Sequence, residues 1–158
     1  MIFKMQAGEG HISMQYQQGN IGRVFVARVE HGDDFLGEIK KLAARENIRS
    51  ATLFMIGALK SASVVVGPQE PVLPPQPMWR DFDNARELVG MGTIFWDENE
   101  PLLHVHGVFG KGDVSLMGCI RAETEVYLIL EVIIFEITGV NAVRQFDEIL
   151  GLKALTLK

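Results

Sequence analysis

The stretch LLHVHGVFGKGDVSLMGCI, residues 102–120, decides the fold, because it predicts a β-hairpin with apolar residues on both strands. With Lys111-Gly112 as the two-residue loop, His104 stands directly opposite Cys119. Residues two apart in a strand point to the same face, so His106 shares that face with His104. The hairpin therefore predicts that two histidines and the chain's single cysteine converge on one side of a sheet.

Two imidazoles and a thiolate are typical ligands of zinc or of another divalent transition metal. Side chains two residues apart in a strand are separated by about 6.5–7 Å, and two imidazoles at that spacing can converge on one ion. We therefore take His104, His106 and Cys119 as candidate metal ligands, with a fourth position for water or substrate. Two alternatives stay open. The three side chains could pack in a core or a subunit contact, and a glycine bulge in the turn would move Cys119 to the other face.

The composition is that of an ordinary globular protein, since 47% of the 158 residues are hydrophobic and 22% are charged. This length predicts a single domain over residues 1–158. One cysteine excludes an internal disulfide, so folding does not depend on an oxidising compartment. The first residues lack the apolar segment of a signal peptide, and we find no apolar run long enough to cross a bilayer. We expect a cytoplasmic protein with no membrane partner.

The charge balance bears on nucleic-acid partners. Fifteen Lys and Arg residues against twenty Asp and Glu residues give a net charge of −5. Binding to DNA draws most of its free energy from basic side chains against phosphates. The densest basic cluster, Lys40, Lys41, Arg45 and Arg49, has the pattern of a solvated helix face. DNA is therefore a doubtful partner for this chain.

Hydrophobic periodicity predicts an α+β domain: a mostly antiparallel, mixed β-sheet with one main helix and a short C-terminal helix. The main helix begins after Asp34 and ends near Asn47, and the short helix covers residues 145–150. Besides the hairpin, strands are predicted over residues 11–17, 23–29, 51–56, 61–66, 88–96 and 127–137. Strands 23–29 and 127–137 are apolar on both faces, so we expect them in the centre of the sheet. Residues 57–60 are short enough for a hairpin-like connection.

Glycine and proline mark two further segments. Gly90 and Gly92 lie inside a strand pattern with no helix after them, which favours close backbone packing over a nucleotide-binding loop. Residues 68–77 contain five of the six prolines, so they predict a long loop. This loop either simply connects two strands or covers a pocket mouth or a subunit contact.

The order of these features resembles the PPC domain (plants and prokaryotes conserved, also called DUF296). The matching segments are residues 23–29, 50–58, 90–95, 104–107, 117–120 and 131–134, and the resemblance spans about residues 20–138. Its most specific part is the His-x-His motif with the downstream Gly-Cys. In many members a third histidine stands where this chain has Cys119. The resemblance implies a compact α+β domain that assembles as a homotrimer.

Two functional classes follow from this resemblance. Plant members read DNA through an AT-hook with an Arg-Gly-Arg-Pro core, and this sequence has none. The core is also similar to one domain of α-acetolactate decarboxylase, whose zinc is held by a His-x-His and a later histidine. The leading hypothesis is a metal-binding, homotrimeric PPC-like domain. The alternative is a zinc-dependent lyase or hydrolase on a small oxo- or hydroxy-acid, which would need an open metal position facing a pocket with arginine or lysine.

Glu131 is the candidate catalytic residue, because it interrupts an apolar strand that we expect to be buried. A buried carboxylate is unfavourable unless it is paired, hydrogen-bonded or protonated. Glu131 could orient a metal-bound histidine or transfer a proton. The equally open alternative is a salt bridge to Arg121, Arg28 or a neighbouring subunit.

Overall fold

A computed structural model describes residues 3–6 and 12–158 of the chain. Its elements in chain order are β1 (Phe3–Gln6), β2 (Ile12–Tyr16), β3 (Asn20–Glu30), α1 (Phe35–Arg45), β4 (Ser50–Leu59), β5 (Ala62–Pro68), β6 (Pro77–Phe82), β7 (Arg86–Trp96), β8 (Pro101–Lys111), β9 (Val114–Ala122), β10 (Val126–Thr138), β11 (Ala142–Asp147) and β12 (Leu152–Leu157).

Eight of these strands form one sheet in the order β3-β10-β4-β7-β8-β9-β5-β6. Every neighbouring pair in this sheet is antiparallel. The pairs β1–β2 and β11–β12 form two separate two-stranded sheets. The prediction of an α+β fold with a mostly antiparallel sheet and one main helix is confirmed.

The hydrophobic core lies between α1 and one face of the large sheet. Asp34 caps the helix, because its carboxylate accepts a hydrogen bond from the backbone N–H of Gly37 at 3.2 Å. Phe35 and Ile39 lie on the buried stripe of α1. Alternate residues of the large sheet join this stripe in one core cluster, and in β8 they include the fully buried Phe109. The predicted helix, with its start after Asp34, is confirmed.

The opposite face of the sheet, which we call the open face, is largely exposed, and β11 contacts it at Thr93 and Phe95. Paired residues share a face, so the rows of the sheet trace it from β3 to β9. Its exposed apolar residues are Val24, Val26, Phe54, Ile56, Val89, Met91, Val108, Met117 and Ile133. His104 and His106 point to this same face, because they alternate in β8 with the buried residues of the core.

Two expectations about strand placement are wrong. Strand β3 was expected at the centre but lies at the edge of the sheet, and its second apolar face is part of the open face. Residues 57–60 do not close a hairpin, because β5 pairs with β6 and β9 and not with β4. Strand β10 lies between β3 and β4, so its predicted interior position is confirmed.

The short C-terminal helix predicted over residues 145–150 is also wrong. This segment contains the end of β11 and the turn into β12. The Asp147 side chain accepts hydrogen bonds from the backbone N–H groups of Ile149 and Leu150, and Gly151 takes a φ of +65° that reverses the chain. Local turn chemistry and pairing of the two strands therefore override the helix-like spacing of apolar residues.

The one helix of the described residues is α1, and no helix there is long and apolar enough to span a membrane.

Candidate metal centre

The β8–β9 hairpin positions the candidate ligands, with a register that differs from the predicted one. Lys111 pairs with Val114, so the two-residue loop is Gly112-Asp113, and Gly112 takes a φ of +57°. As a result His106, rather than His104, stands opposite Cys119. Each residue of β8 therefore pairs with a residue of β9 that lies two positions later than predicted. Because residues two apart in a strand share a face, the side chains stay on the predicted face.

The three candidate ligands do come together. The Nε2 atoms of His104 and His106 are 3.1 Å apart, and the rings are inclined by 76°. Both nitrogens and the Sγ atom of Cys119 lie within 4.8 Å of one another. Two nitrogens bound to one tetrahedral zinc ion would be about 3.3 Å apart. The donor types and their separations therefore fit a single divalent ion with little rearrangement.

Glycines beside the centre let the strands approach one another closely. A Cβ atom on Gly92 would lie 2.7 Å from the carbonyl oxygen of His104, and one on Gly90 would lie 2.8 Å from that of His106. Gly118, next to Cys119, would place a Cβ atom 2.8 Å from the Val65 carbonyl oxygen. The interpretation of Gly90 and Gly92 as close-packing residues agrees with these distances.

The electrostatic surroundings favour the neutral form of His104 and the neutral form of the Cys119 thiol. Partial desolvation, followed by the charges of Arg144, His106 and Arg121, lowers the pKa of His104 to about 4, so its imidazole is neutral at pH 7. Desolvation raises the pKa of the Cys119 thiol, whereas the charges of Arg121 and Arg144 lower it. Both arginines therefore stabilise the thiolate that a metal site needs.

Sequence reasoning did not identify Arg121 and Arg144 as residues beside the metal centre. Arg121 lies two residues after Cys119, a spacing that could have suggested it. Arg144 comes from β11, and its Nη2 donates a hydrogen bond to the Thr93 hydroxyl at 3.0 Å. Thr93 is paired with His104 in the β7–β8 ladder, so this bond brings Arg144 to the histidine side of the open face. No local sequence signal connects Arg144 with the hairpin.

A pocket of about 470 Å³ opens beside the three donors. Three of its lining residues, Pro68, Pro75 and Pro77, come from the proline-rich segment, which agrees with the option that this segment borders a pocket. Arg121 lines the pocket too, and none of the described lining residues is a carboxylate. The surroundings of the candidate ligands are thus apolar with a positive charge.

The structure does not bring Glu131 to this cluster. Glu131 is on β10, three strands from β8, which corresponds to about 14 Å at the usual spacing between strands. The expectation that it is buried is wrong, since it lies exposed on the open face. Its neighbours across the sheet are Arg28 and Ile56, and the Arg28 guanidinium pairs with Glu30 at 3.0 Å.

Comparison with known proteins gives a consistent family match. The model of the Plants and Prokaryotes Conserved (PCC) domain matches residues 16–138. A metal-containing protein from Archaeoglobus fulgidus is 23% identical with a TM-score of 0.80, and the match covers 90% of this chain and 99% of that one. A PPC protein from Pyrococcus horikoshii is 24% identical with a TM-score of 0.78, and the match covers 92% and 99% of the two chains.

A third solved structure is a provisionally named DNA-binding protein from Ralstonia eutropha. It is 24% identical with a TM-score of 0.71, and the match covers 84% of this chain and 90% of that one. At such identities the likeness establishes the fold. No curated protein matches the chain.

Proposed function

The chain belongs to the Plants and Prokaryotes Conserved (PCC) domain family, and from that premise we propose that it binds one divalent transition-metal ion at His104, His106 and Cys119. The observation that carries this proposal is the convergence of two imidazole nitrogens and a thiol sulfur within 4.8 Å. The name of the Archaeoglobus protein, a metal-containing relative in fold, supports the same proposal.

Zinc is the ion that this donor set fits best. Zinc accepts mixed nitrogen and sulfur ligands in tetrahedral geometry, whereas magnesium and calcium prefer oxygen. Among residues 3–6 and 12–158, no further His, Cys, Asp or Glu joins the group. Three protein ligands with a fourth position for water or a substrate are typical of catalytic rather than structural zinc sites.

The test is the metal content of the purified protein, measured by elemental analysis after extraction and reloading with zinc. We expect one ion per chain in the wild type and none in the double variant His104→Ala, His106→Ala. His31→Ala is the matched control, because His31 contacts Leu128 and Tyr127 and not the hairpin. Zinc that stays stoichiometric in the double variant would refute the site.

Self-association as a homotrimer is the second part of the proposal. The exposed apolar side chains of the open face form a contiguous surface across six strands, and such surfaces usually mark interfaces. This surface adjoins His106, because Met91 is paired with His106 and Val108 follows two residues later in β8. Association through the open face would therefore also shield the metal centre from solvent.

An enzymatic role is the second candidate, supported by the pocket and its arginine. A bound zinc ion would supply Lewis-acid polarisation of a substrate carbonyl. Arg121 and the apolar walls of the pocket would orient a small oxo- or hydroxy-acid and limit access of water. The test is whether the zinc-loaded protein converts any member of a panel of such acids, as a lyase or hydrolase would. Inertness towards the whole panel would leave a binding role.

We do not propose DNA as a partner, although the Ralstonia protein of similar fold is named as DNA-binding. The net charge is −5, and two of the arginines beside the open face lie at the metal centre. Electrostatic attraction to phosphates needs a basic surface of several residues. A mobility-shift titration at physiological salt should show weak binding without sequence preference, and tight sequence-dependent binding would contradict this.

A further inference from the structure

Arg144 is a part-buried cation without a carboxylate partner in the described structure. Its Nη2 donates to the Thr93 hydroxyl at 3.0 Å, and its guanidinium carbon lies 5.8 Å from the centre of the Phe95 ring. Other basic residues of the chain do form ion pairs where an acid is within reach, as Lys153 does with Asp97 at 2.5 Å. Thr93 and Phe95 therefore hold Arg144 in place. Arg144 also lines a second cavity with Asp97, Glu98 and Glu100, but it forms no direct ion pair with them.

Arg121 is a second such cation, on the other side of the centre. It lies on β9, two residues from Cys119, and lines the pocket with the three candidate ligands. The Arg121 side chain forms no hydrogen bond or ion pair within residues 3–6 and 12–158. Arg144 approaches from the β7 side, through Thr93, and Arg121 from the β9 side, so the two guanidinium groups flank the centre.

The charge balance of the pocket calls for an anionic ligand. A divalent ion bound by two neutral imidazoles and one thiolate keeps one positive charge. Arg121 adds a second charge inside the pocket, and Arg144 adds a third from beside Thr93, outside the pocket lining. In a chain with five more acidic than basic residues, none of the described pocket-lining residues is a carboxylate. An anion that binds there would pair with the exposed Arg121 and with the part-buried Arg144, neither of which has a carboxylate partner in the described structure.

The walls and size of the pocket indicate a small organic acid. Val65, Val66 and the prolines give the pocket an apolar lining, and its volume is about 470 Å³. The planar fork of arginine donates two parallel hydrogen bonds to a carboxylate. A short carbon chain on that carboxylate would pack against the proline-rich segment, whereas inorganic phosphate would leave the apolar lining unused.

We propose that Arg144 and Arg121 form a carboxylate-binding subsite of the metal centre, which selects small organic acids as ligands of the open metal position. This inference rests on the proposed metal site, extends the ligand class to small organic acids whether or not they are turned over, and adds Arg144 to the residues that recognise the carboxylate. Arg144 lies outside residues 16–138, which match the family model, so the subsite depends on the β11–β12 hairpin of this chain.

The experiment uses the full-length protein loaded with Co²⁺, whose visible spectrum reports both thiolate coordination and changes at the open position. Pyruvate is added, with pyruvamide as its neutral analogue and phosphate as a competing anion. We expect saturable spectral changes with pyruvate, and binding of pyruvamide and of phosphate that is weaker by about tenfold or more, as loss of a charge-assisted bidentate contact implies.

The variants separate recognition from general electrostatics. Arg144→Gln should weaken pyruvate binding by about tenfold or more, and Arg121→Gln should weaken it in the same direction. The control Arg45→Gln removes the same charge from α1, on the far side of the sheet, and should bind pyruvate as the wild type does. Arg144→Lys keeps the positive charge but lacks the two parallel donors of the guanidinium group, so we expect an intermediate affinity for pyruvate. Arg144→Lys also takes the place of Arg144→Gln if the Gln variant does not fold.

The outcomes distinguish this inference from the proposal beneath it. Absence of a cobalt–thiolate spectrum in the wild type would refute the metal site itself. A normal cobalt spectrum that pyruvate does not change would overturn the carboxylate subsite alone. Equal binding of pyruvate and pyruvamide, stronger binding of phosphate, or equal weakening by Arg45→Gln and Arg144→Gln would also overturn it.

Discussion

The ionisation states of His104 and Cys119 determine how the centre competes for a metal ion. Metal ligands must be deprotonated, so a proton on either group competes with the ion. His104, with its pKa lowered to about 4, is already neutral at pH 7. Cys119 is different, because desolvation raises its pKa and keeps the free thiol protonated. The thiol is therefore the ligand whose proton the metal must displace.

We predict that zinc binding at neutral pH releases a proton that comes from Cys119. Because this thiol titrates above its ordinary range, zinc affinity should rise with pH by about tenfold per unit while the thiol remains protonated. Calorimetric titrations in two buffers with different ionisation enthalpies measure the released protons. The Cys119→Ser variant should bind zinc more weakly and release correspondingly fewer protons. Equal proton release by the wild type and this variant would contradict the prediction.

At the scale of elements, the contact between β7 and β8 depends on glycine. Gly90 and Gly92 lie against the carbonyl oxygens of His106 and His104, the two residues of β8 that carry the candidate ligands. A larger residue there would press on backbone rather than on a flexible side chain, so the strand itself would have to move. The backbone of the metal centre is thus positioned by residues that offer no chemistry of their own.

We predict that Gly92→Ala destabilises the protein by about 1–3 kcal/mol, the usual range for overpacking. Its Cβ atom would meet the His104 carbonyl oxygen at 2.7 Å. Zinc affinity should fall as well, because displacement of β8 moves the histidines relative to Cys119. Urea unfolding of the zinc-free protein measures the first effect and a competitive zinc titration the second.

Gly110→Ala is the matched control for this change, because Gly110 lies in the neighbouring strand β8 and a Cβ atom there meets nothing within 4 Å. It should leave both the free energy of unfolding and zinc binding close to wild type. A Gly92→Ala protein as stable as Gly110→Ala would show that β7 and β8 tolerate the extra atom.

For the whole molecule, the sheet has one face covered by α1 and one open face. Val26 is 81% exposed and Ile56 57% exposed, values unusual for apolar residues inside strands of a sheet this large. A contiguous apolar surface is unfavourable in water at about 25 cal/mol per Å², so its burial would drive association. The open face, and not the helical face, is therefore the surface on which we expect copies of the chain to meet.

We predict that the protein is a homotrimer in solution and that Ile56→Lys dissociates it. A lysine at the middle of the open face would bury an unpaired charge in the interface. Ile149→Lys is the matched control, since Ile149 is 71% exposed in the β11–β12 turn and does not lie on a strand of the large sheet. Sedimentation equilibrium should give trimers for the wild type and the control. A wild-type monomer throughout the micromolar range would rule out the assembly.

Strand and helix periodicities by themselves determined the helix after Asp34, the antiparallel α+β class and the shared face of His104, His106 and Cys119. These features follow from local geometry, since side chains alternate strictly along a strand. The loop of the hairpin was placed one residue too early, yet the resulting change of partner by two residues left that face unchanged.

The tertiary structure alone decided which strands are neighbours and what surrounds the centre. Arg144 comes close to His104 only because β11 packs beside β7. Glu131 is exposed because β11 covers the β7 end of the open face and not the part of it on β10. β3 lies at an edge although both its faces are apolar. Pairing between strands distant in sequence depends on the packing of the whole sheet against α1, and no short stretch of sequence contains that information.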